Sequence, residues 1–118
     1  MIRDRYVYKI LTGEQWRKFQ QDAVFKGSPV DVADGFIHLS CAHQLKGTMD
    51  KWYASQAEVV LLQVDASKLG EALKYEVSRG GAEFPHLFAV LPLSVIGKQW
   101  LASPENGAYR LPDDLYAN

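Results

Sequence analysis

The sequence predicts an α+β protein, with a mixed or largely antiparallel sheet and two main helices packed against it. Strand-like segments outnumber helix-like segments, and both helical patterns fall early, between the first strands. A doubly wound α/β sheet would instead alternate strands and helices along the chain. The sequence contains neither G-x-G-x-x-G nor G-x-x-x-x-G-K-[ST], so the standard dinucleotide and triphosphate loops are absent.

Composition favours a single domain over residues 1–118, with a core at about 6–96 and a C-terminal tail at 103–118. The chain has 118 residues, of which 47% are hydrophobic, enough for one substantial core. The balance of 13 Lys+Arg against 14 Asp+Glu argues against a broad nucleic-acid surface and leaves a local basic patch open. One cysteine, Cys41, points to a reducing compartment, and the charged start lacks an apolar run for export or membrane spanning. We therefore expect a cytoplasmic protein without a membrane partner.

The first elements predicted are a strand and a short amphipathic helix. Residues 6–11 are aromatic and β-branched, which is typical of a strand. Thr12 and Gln15 form a capping-box pattern at the start of the helix. Residues 25–33 show little periodicity, so we expect a loop that returns the chain to the sheet and closes in an Asp34-Gly35 turn.

A strand over residues 36–40 carries a histidine between apolar neighbours. Because strand side chains alternate, Phe36, His38 and Ser40 face one side, and the apolar residues between them face the other. Ser40 stands where the N-cap of the next helix is expected, at about residues 42–53, and capping alone would explain it. The same helix start would also suit a phosphate, because its N–H groups and dipole are positive.

Three further strand patterns follow in the second half of the chain. Residues 59–64 are almost continuously apolar, which predicts a central strand covered on both faces. Residues 74–77 alternate, with Lys74 and Glu76 on one face. Residues 84–96 are strand-like, but Pro85 and Pro92 cannot donate to a ladder and suggest edges or bulges. Pro85 is also a candidate for a cis peptide bond.

Three side chains are candidates for acid–base chemistry. His38 is either a ligand-facing donor or base, or a core histidine bonded to backbone, since a buried imidazole needs a partner. His86 follows Phe84 and Pro85, a combination that suggests a pocket wall. Glu76 either orients a ligand or accepts a proton, or lies on a solvated strand face. We expect His38 and His86 to belong to one cleft.

Other chemistries have weaker support in the sequence. His43 is expected on the surface, and Cys41 is expected to be a small packed residue rather than a nucleophile. There is no H-x-x-x-H or C-x-x-C spacing for zinc, and no G-x-S-x-G elbow for a serine hydrolase. The candidate is therefore a pocket without a metal, built from imidazoles, hydroxyls and aromatic rings.

Several motifs, in this order, resemble the bacterial family called domain of unknown function 952. They are Tyr8-Lys9-Ile10, Trp16, DGFIHLS at 34–40, Gln44 and Thr48, LLQVD at 61–65, Tyr75-Glu76, and FPHLF at 84–88 followed by Leu91-Pro92. The resemblance extends over about residues 6–96. Where the family usually has tryptophan before the glutamate, this chain has Tyr75, and it has Phe88-Ala89 in place of the usual Tyr-Gly.

That family is similar in fold to the ADP-ribosyltransferases, whose split β core binds NAD between two small sheets, and also to RNA 2′-phosphotransferases. The resemblance implies a nucleotide-type cleft that transfers an ADP-ribosyl or phosphoryl group from NAD or a related nucleotide. It implies catalytic roles for His38, His86 and Glu76, and the ligand-binding residues expected are Phe36, Ser40, Tyr8, Lys9, Gln44, Thr48 and Phe84.

One difference from the phosphotransferases leaves a second interpretation open. Those enzymes carry a His-Gly pair on the first strand, where this chain has Lys9-Ile10. The alternative is a binding module that keeps the fold without the chemistry and takes a small ligand or a partner protein.

Overall fold

Eight strands and three α-helices are present in residues 4–115, the part of the chain that the computed structural model describes. The strands are Tyr6–Leu11 (β1), Val24–Phe25 (β2), Ile37–His38 (β3), Val59–Asp65 (β4), Leu73–Val77 (β5), Glu83–Leu87 (β6), Leu91–Pro92 (β7) and Ile96–Ala102 (β8). The helices are Gly13–Asp22 (α1), Pro29–Asp34 (α2) and Leu45–Trp52 (α3). No helix in this range is long and apolar enough to cross a membrane.

The strands pair into three antiparallel sheets, which confirms the predicted mixed α+β class. The first sheet has the order β1-β4-β8, the second pairs β2 with β7, and the third has the order β3-β6-β5. Every pair of strands described is antiparallel. The third sheet carries both histidine motifs and is the part of the fold that positions the candidate site.

Strand β4 is the centre of the first sheet, as its apolar run predicts. It lies between β1 and β8, and Leu62 and Val64 pack into one hydrophobic core while Val59 and Leu61 pack into the other. All four side chains are fully buried. Two cores on opposite faces explain why this strand is continuously apolar rather than alternating.

The predicted capping box starts α1. The Thr12 hydroxyl accepts from the Gln15 N–H at 3.2 Å, and Gln15 Oε1 accepts from the Thr12 N–H at 2.9 Å. The helix buries Phe19 against the core and solvates most of its remaining surface. Local capping chemistry therefore suffices to locate this helix in the sequence.

The loop predicted for residues 25–33 is wrong, because α2 lies there. The Ser28 hydroxyl accepts from the Asp31 N–H at 3.3 Å, and Asp31 Oδ2 accepts from the Ser28 N–H at 2.8 Å. Pro29 occupies the first turn, where its missing N–H costs nothing. The helix has no apolar periodicity because its buried residue is Asp31. The structure thus has three α-helices where two were predicted.

The segment after Ser40 also differs from the prediction. A 3₁₀ turn at Ala42–Gln44 precedes α3, and Cys41 rather than Ser40 occupies the N-cap position. Ser40 instead extends the first sheet, since its backbone exchanges hydrogen bonds of 2.8 and 2.9 Å with Tyr8. Trp52, the last residue of α3, is 53% exposed.

Pro85 lies in β6, the central strand of its sheet, rather than at an edge, and no described peptide bond is cis. The Pro85 carbonyl accepts from the Leu39 N–H at 3.0 Å, just past the end of β3. In an antiparallel strand the nitrogen of the same residue faces the same side. A residue with an N–H at position 85 would therefore donate toward β3. Since β3 ends at His38, the proline removes no hydrogen bond from within that strand pair.

The C-terminal tail docks against α3 through Tyr109, which is 1% exposed. Its N–H donates to Asp50 at 2.7 Å, its hydroxyl donates to the Tyr53 carbonyl at 2.8 Å, and its carbonyl accepts from Lys46 at 3.0 Å. The last three residues of the predicted tail, 116–118, lie outside the described residues. The second core is therefore completed by residues well beyond the predicted boundary at 96.

Replacing Leu62 by alanine should lower the free energy of unfolding by about 2–5 kcal/mol, because a buried side chain is lost and a cavity remains. Leu101→Ala is the matched control, since Leu101 is 68% exposed on the edge strand β8 and its loss should cost less than about 0.5 kcal/mol. Urea denaturation followed by tryptophan fluorescence measures both. Equal losses would contradict the central position of β4.

Candidate functional site

The histidines of the two motifs face each other across the third sheet. His38 on β3 is directly opposite His86 on β6, and their ring centroids lie 5.5 Å apart. Opposite residues of an antiparallel pair project from the same face of the sheet. Their neighbours Ile37 and Leu87 project from the other face and are buried in the core. One face of the sheet is thus apolar, and the other carries both imidazoles.

Phe36 joins the two imidazoles. Its ring stacks on His86 at 4.1 Å with an interplanar angle of 22°, and it lies 4.6 Å from the His38 ring. On its other side Phe36 is 5.2 Å from Phe88, which is 43% exposed. These contacts form a continuous aromatic surface from the buried imidazole to the solvent.

Asp31 on α2 fixes the orientation of His38. Asp31 Oδ1 lies 2.6 Å from His38 Nδ1 and accepts from the His38 N–H at 3.1 Å. A carboxylate can only accept, so Nδ1 carries a proton. Sequence analysis missed Asp31 because it missed the helix that presents it, although Ser28, Pro29 and Asp31 match a helix start.

Lys9 supports this pair from inside the protein. Its Nζ donates to Asp31 Oδ2 at 3.0 Å and to the His38 carbonyl at 2.9 Å. Both charged side chains are almost fully buried, with exposures of 6% for Lys9 and 2% for Asp31. Lys9, predicted to bind ligand, is thus buried and bonded to Asp31 and to the His38 carbonyl.

Burial and the opposite charges of this pair together shift both pKa values. Burial by itself would raise the pKa of Asp31, but the positive charge of Lys9 and hydrogen bonds from Ser28 and His38 hold that pKa below its ordinary value. Burial lowers the pKa of Lys9, and the charge of Asp31 opposes the shift. Asp31 therefore remains a carboxylate that accepts from His38.

Asp34 contacts the outer nitrogen of His38. Asp34 Oδ2 lies 3.0 Å from His38 Nε2, and the Asp34 side chain is 49% exposed. Both nitrogens of this ring therefore face carboxylates. Both can donate only when the ring is an imidazolium, because a neutral imidazole has one N–H.

His86 is held at one nitrogen only. Its Nδ1 lies 2.8 Å from Glu76 Oε1, while its Nε2 is buried and has no hydrogen-bond partner among the described residues. Since Glu76 accepts, Nδ1 carries the proton of the neutral ring and Nε2 presents a lone pair. A buried polar atom without a partner costs about 1–3 kcal/mol, so this nitrogen is a polar atom of the site that the described residues leave unsatisfied.

The neighbouring strand β5 adds two more polar side chains to the same face. The register places Lys74 directly opposite His86, and Glu76 directly opposite Phe84. Lys74 and Glu76 are exposed, and Phe84 is partly buried. Lys74 was not predicted as a site residue, although its alternation with Glu76 had placed both on one strand face.

Two predicted ligand residues on the first sheet are buried. Tyr8 packs into the second core, 6.4 Å from the Trp100 ring, on the face of β1 opposite to Lys9. Ser40 is 5% exposed and is joined to Tyr8 through the backbone. Both residues form the junction between β1 and the segment that follows β3.

The remaining two predicted residues lie at α3. Gln44 Oε1 accepts from the Cys41 N–H at 2.9 Å, and Gln44 Nε2 donates to the Glu83 carbonyl at 2.7 Å. Thr48 is partly buried within the helix. Because Gln44 already bonds the Cys41 N–H, the helix start has one donor fewer for the phosphate that was expected there.

An open groove of about 870 Å³ lies apart from the histidines, between α1 and the loop before α2. Phe19 and Phe25 form part of its lining, and none of the predicted site residues does. Its charged side chains include Lys18 and Asp22, which pair with each other at 3.0 Å. We favour the histidine face as the candidate site because it holds a buried polar atom without a partner. No three His, Cys, Asp or Glu side chains within residues 4–115 are placed to hold a metal ion.

Replacing Lys9 by methionine should lower the free energy of unfolding by about 3–5 kcal/mol, because Asp31 stays buried without a countercharge. Lys18→Met is the matched control: Lys18 forms an exposed pair with Asp22, and its loss should cost less than about 1 kcal/mol. Urea denaturation at neutral pH measures both values. A Lys9→Met variant as stable as the control would contradict the role given to this ion pair.

The comparisons with known proteins agree with the fold and the motifs. A family model described as protein of unknown function (DUF952) matches residues 10–99. The crystal structure of protein CC0527 from Caulobacter crescentus is 45% identical, with a TM-score of 0.88, and the match covers 94% of this chain and 98% of that one. A solution NMR structure of the same protein is 43% identical, with a TM-score of 0.80 and coverage of 90% and 91%.

No curated protein matches the chain. The family model and the similar structures nevertheless extend over most of the sequence, including both histidine motifs. The chain therefore belongs to DUF952, a family of proteins of unknown function.

Proposed function

We propose that the two histidines form the acid–base centre of a group-transfer enzyme that acts on NAD or a related nucleotide. The observation that carries this proposal is the Nε2 atom of His86, which is buried beside a second imidazole and has no hydrogen-bond partner within residues 4–115. The similarity in fold between the DUF952 family and the ADP-ribosyltransferases, which the motifs of this chain imply, suggests the reaction class. His86 acts on the acceptor, and His38 acts on the donor.

The ring of His86 is oriented as a general base would be, and a ligand has to reach its buried Nε2. Glu76 holds its Nδ1–H at 2.8 Å, so the lone pair of Nε2 is directed away from that carboxylate. A base is effective when its ring is oriented and its reactive nitrogen can reach the proton to be removed. Phe36 stacks on the ring and restricts its rotation. An acceptor hydroxyl would thus donate to Nε2 and satisfy the buried atom.

His38 suits the donor because it presents an N–H to the solvent side. Asp31 fixes its Nδ1, and Lys9 fixes Asp31. Its Nε2 edge is oriented toward the partly exposed face, where Asp34 now lies. An imidazolium at this position donates to a ribose or phosphate oxygen and stabilises negative charge there.

The proposed step is a displacement at the electrophilic atom of the donor. The acceptor oxygen forms a bond to the electrophilic atom of the donor, and its proton passes to His86 Nε2. In ADP-ribosyl transfer the electrophile is C1′ of the nicotinamide riboside, and neutral nicotinamide leaves with the electron pair of the broken bond. In phosphoryl transfer the electrophile is phosphorus, and the leaving oxygen takes the pair.

A binding module is the second candidate, and Lys9 is the observation that favours it. The first strand uses this side chain to neutralise Asp31, where the 2′-phosphotransferases have a His-Gly pair. In this alternative the site takes a nucleotide without transferring any part of it.

Incubation with excess NAD should release nicotinamide, measured by chromatography, and His86→Gln should lower the rate by about 100-fold or more, because the general base is lost. His43→Gln is the matched control, since His43 is exposed on the 3₁₀ turn before α3. Circular dichroism checks that each variant is folded.

Two outcomes decide between the candidates. If NAD shifts the imidazole NMR signals of His38 and His86 without nicotinamide release, the result supports the binding module and contradicts NAD turnover. If NAD neither shifts these signals nor is cleaved, the nucleotide site itself is wrong.

A further inference from the structure

We infer that His38 Nε2 is an anion-binding position, which Asp34 occupies until a ligand displaces it. The inference rests on the proposed function, because the phosphate of the proposed donor is assigned to His38. It requires that the ligand binds but not that any group is transferred. Asp34 then acts as a latch that closes the site in the absence of ligand. Its carboxylate oxygen stands where a phosphate oxygen would bind.

The two carboxylates on His38 differ sharply in their surroundings. Asp31, at Nδ1, is 2% exposed and is also bonded to Lys9 and Ser28. Asp34, at Nε2, is 49% exposed and lies 3.0 Å from the nitrogen. The inner carboxylate is therefore a permanent part of the fold. The outer carboxylate is an exposed ion-pair partner, and such pairs are weak enough for a ligand anion to replace.

The position of Asp34 in its helix supports the same conclusion. Asp34 is the last residue of α2, and Gly35 follows as a left-handed cap with φ of 87°. A helix C-terminus carries partial negative charge, so a carboxylate there is disfavoured by the backbone. The Asp34 carboxylate instead pairs with the His38 ring. Release of Asp34 to the solvent would therefore cost α2 little.

The surroundings of Nε2 indicate the class of ligand. Phe36 contacts the His38 ring, and Phe88 extends the aromatic surface into the solvent. Lys74 lies opposite His86 on the same face of the sheet and adds a positive charge. A ligand with a phosphate at His38 and a planar ring system would use both the aromatic surface and the positive charge. The ligand class inferred is a nucleoside phosphate rather than free phosphate.

Titration of Asp34→Ala with AMP and with inorganic phosphate, followed through the imidazole nitrogen signals, tests the latch. The variant should bind AMP about threefold or more tightly than the wild type, because a competing ion pair of ordinary strength is gone. Asp22→Ala is the matched control: Asp22 is also the last residue of its helix, is 44% exposed and pairs with Lys18. Its affinity should stay within twofold of the wild type.

Two further comparisons complete the test. His38→Gln in the Asp34→Ala background should abolish the gain, and AMP should bind more tightly than phosphate. The latch is overturned if Asp34→Ala binds AMP no better than the wild type, or if the His38 signals do not respond to AMP in either protein. Equal affinities for AMP and phosphate would overturn the assignment of a nucleoside phosphate. Nicotinamide release enters none of these results, so a failed transferase assay and a failed latch are distinguishable.

Discussion

The candidate site depends on the hydrogen bonds that the buried carboxylate of Asp31 accepts. This carboxylate accepts from the Lys9 ammonium, from the Ser28 N–H, and from the backbone N–H and the ring Nδ1–H of His38, and so connects β1, the start of α2 and β3. A buried charge is tolerated only when it is paired and hydrogen-bonded. The same bonds that make the charge tolerable hold the His38 ring in one orientation, so stability and the geometry of the site have a common origin.

The two faces of the third sheet differ in composition. Its apolar face contributes Ile37 and Leu87 to the core, and its other face carries His38, His86 and Glu76. The two imidazoles on that second face differ in their hydrogen bonding. His38 has a carboxylate at each ring nitrogen, whereas His86 has no partner at Nε2 among the described residues. Native proteins leave few buried polar atoms unpaired, and a ligand is a physical reason for such an exception.

Local patterns in the sequence were sufficient for much of this fold. The apolar run of β4, the capping box of α1 and the alternation around His38 each depend on neighbouring residues. The helix α2 was missed because its short surface lacks apolar periodicity, although its capping signal was present. The ion pair of Lys9 and Asp31 joins residues 22 positions apart, and no local rule predicts such a pairing. Pro85 was wrongly predicted at an edge or bulge, because whether a central strand accepts a proline depends on where the neighbouring strand ends.

The proposed role of His86 as a base depends on which of its nitrogens carries the proton, because a base must present a lone pair to its substrate. Long-range ¹H–¹⁵N spectra of the imidazole rings measure this protonation pattern directly, and the three histidines of the chain keep the assignment simple. The contact with Glu76 predicts that neutral His86 carries its proton on Nδ1 and leaves Nε2 unprotonated. A neutral His86 protonated on Nε2 would contradict both the hydrogen bond to Glu76 and the assignment of this ring as a base.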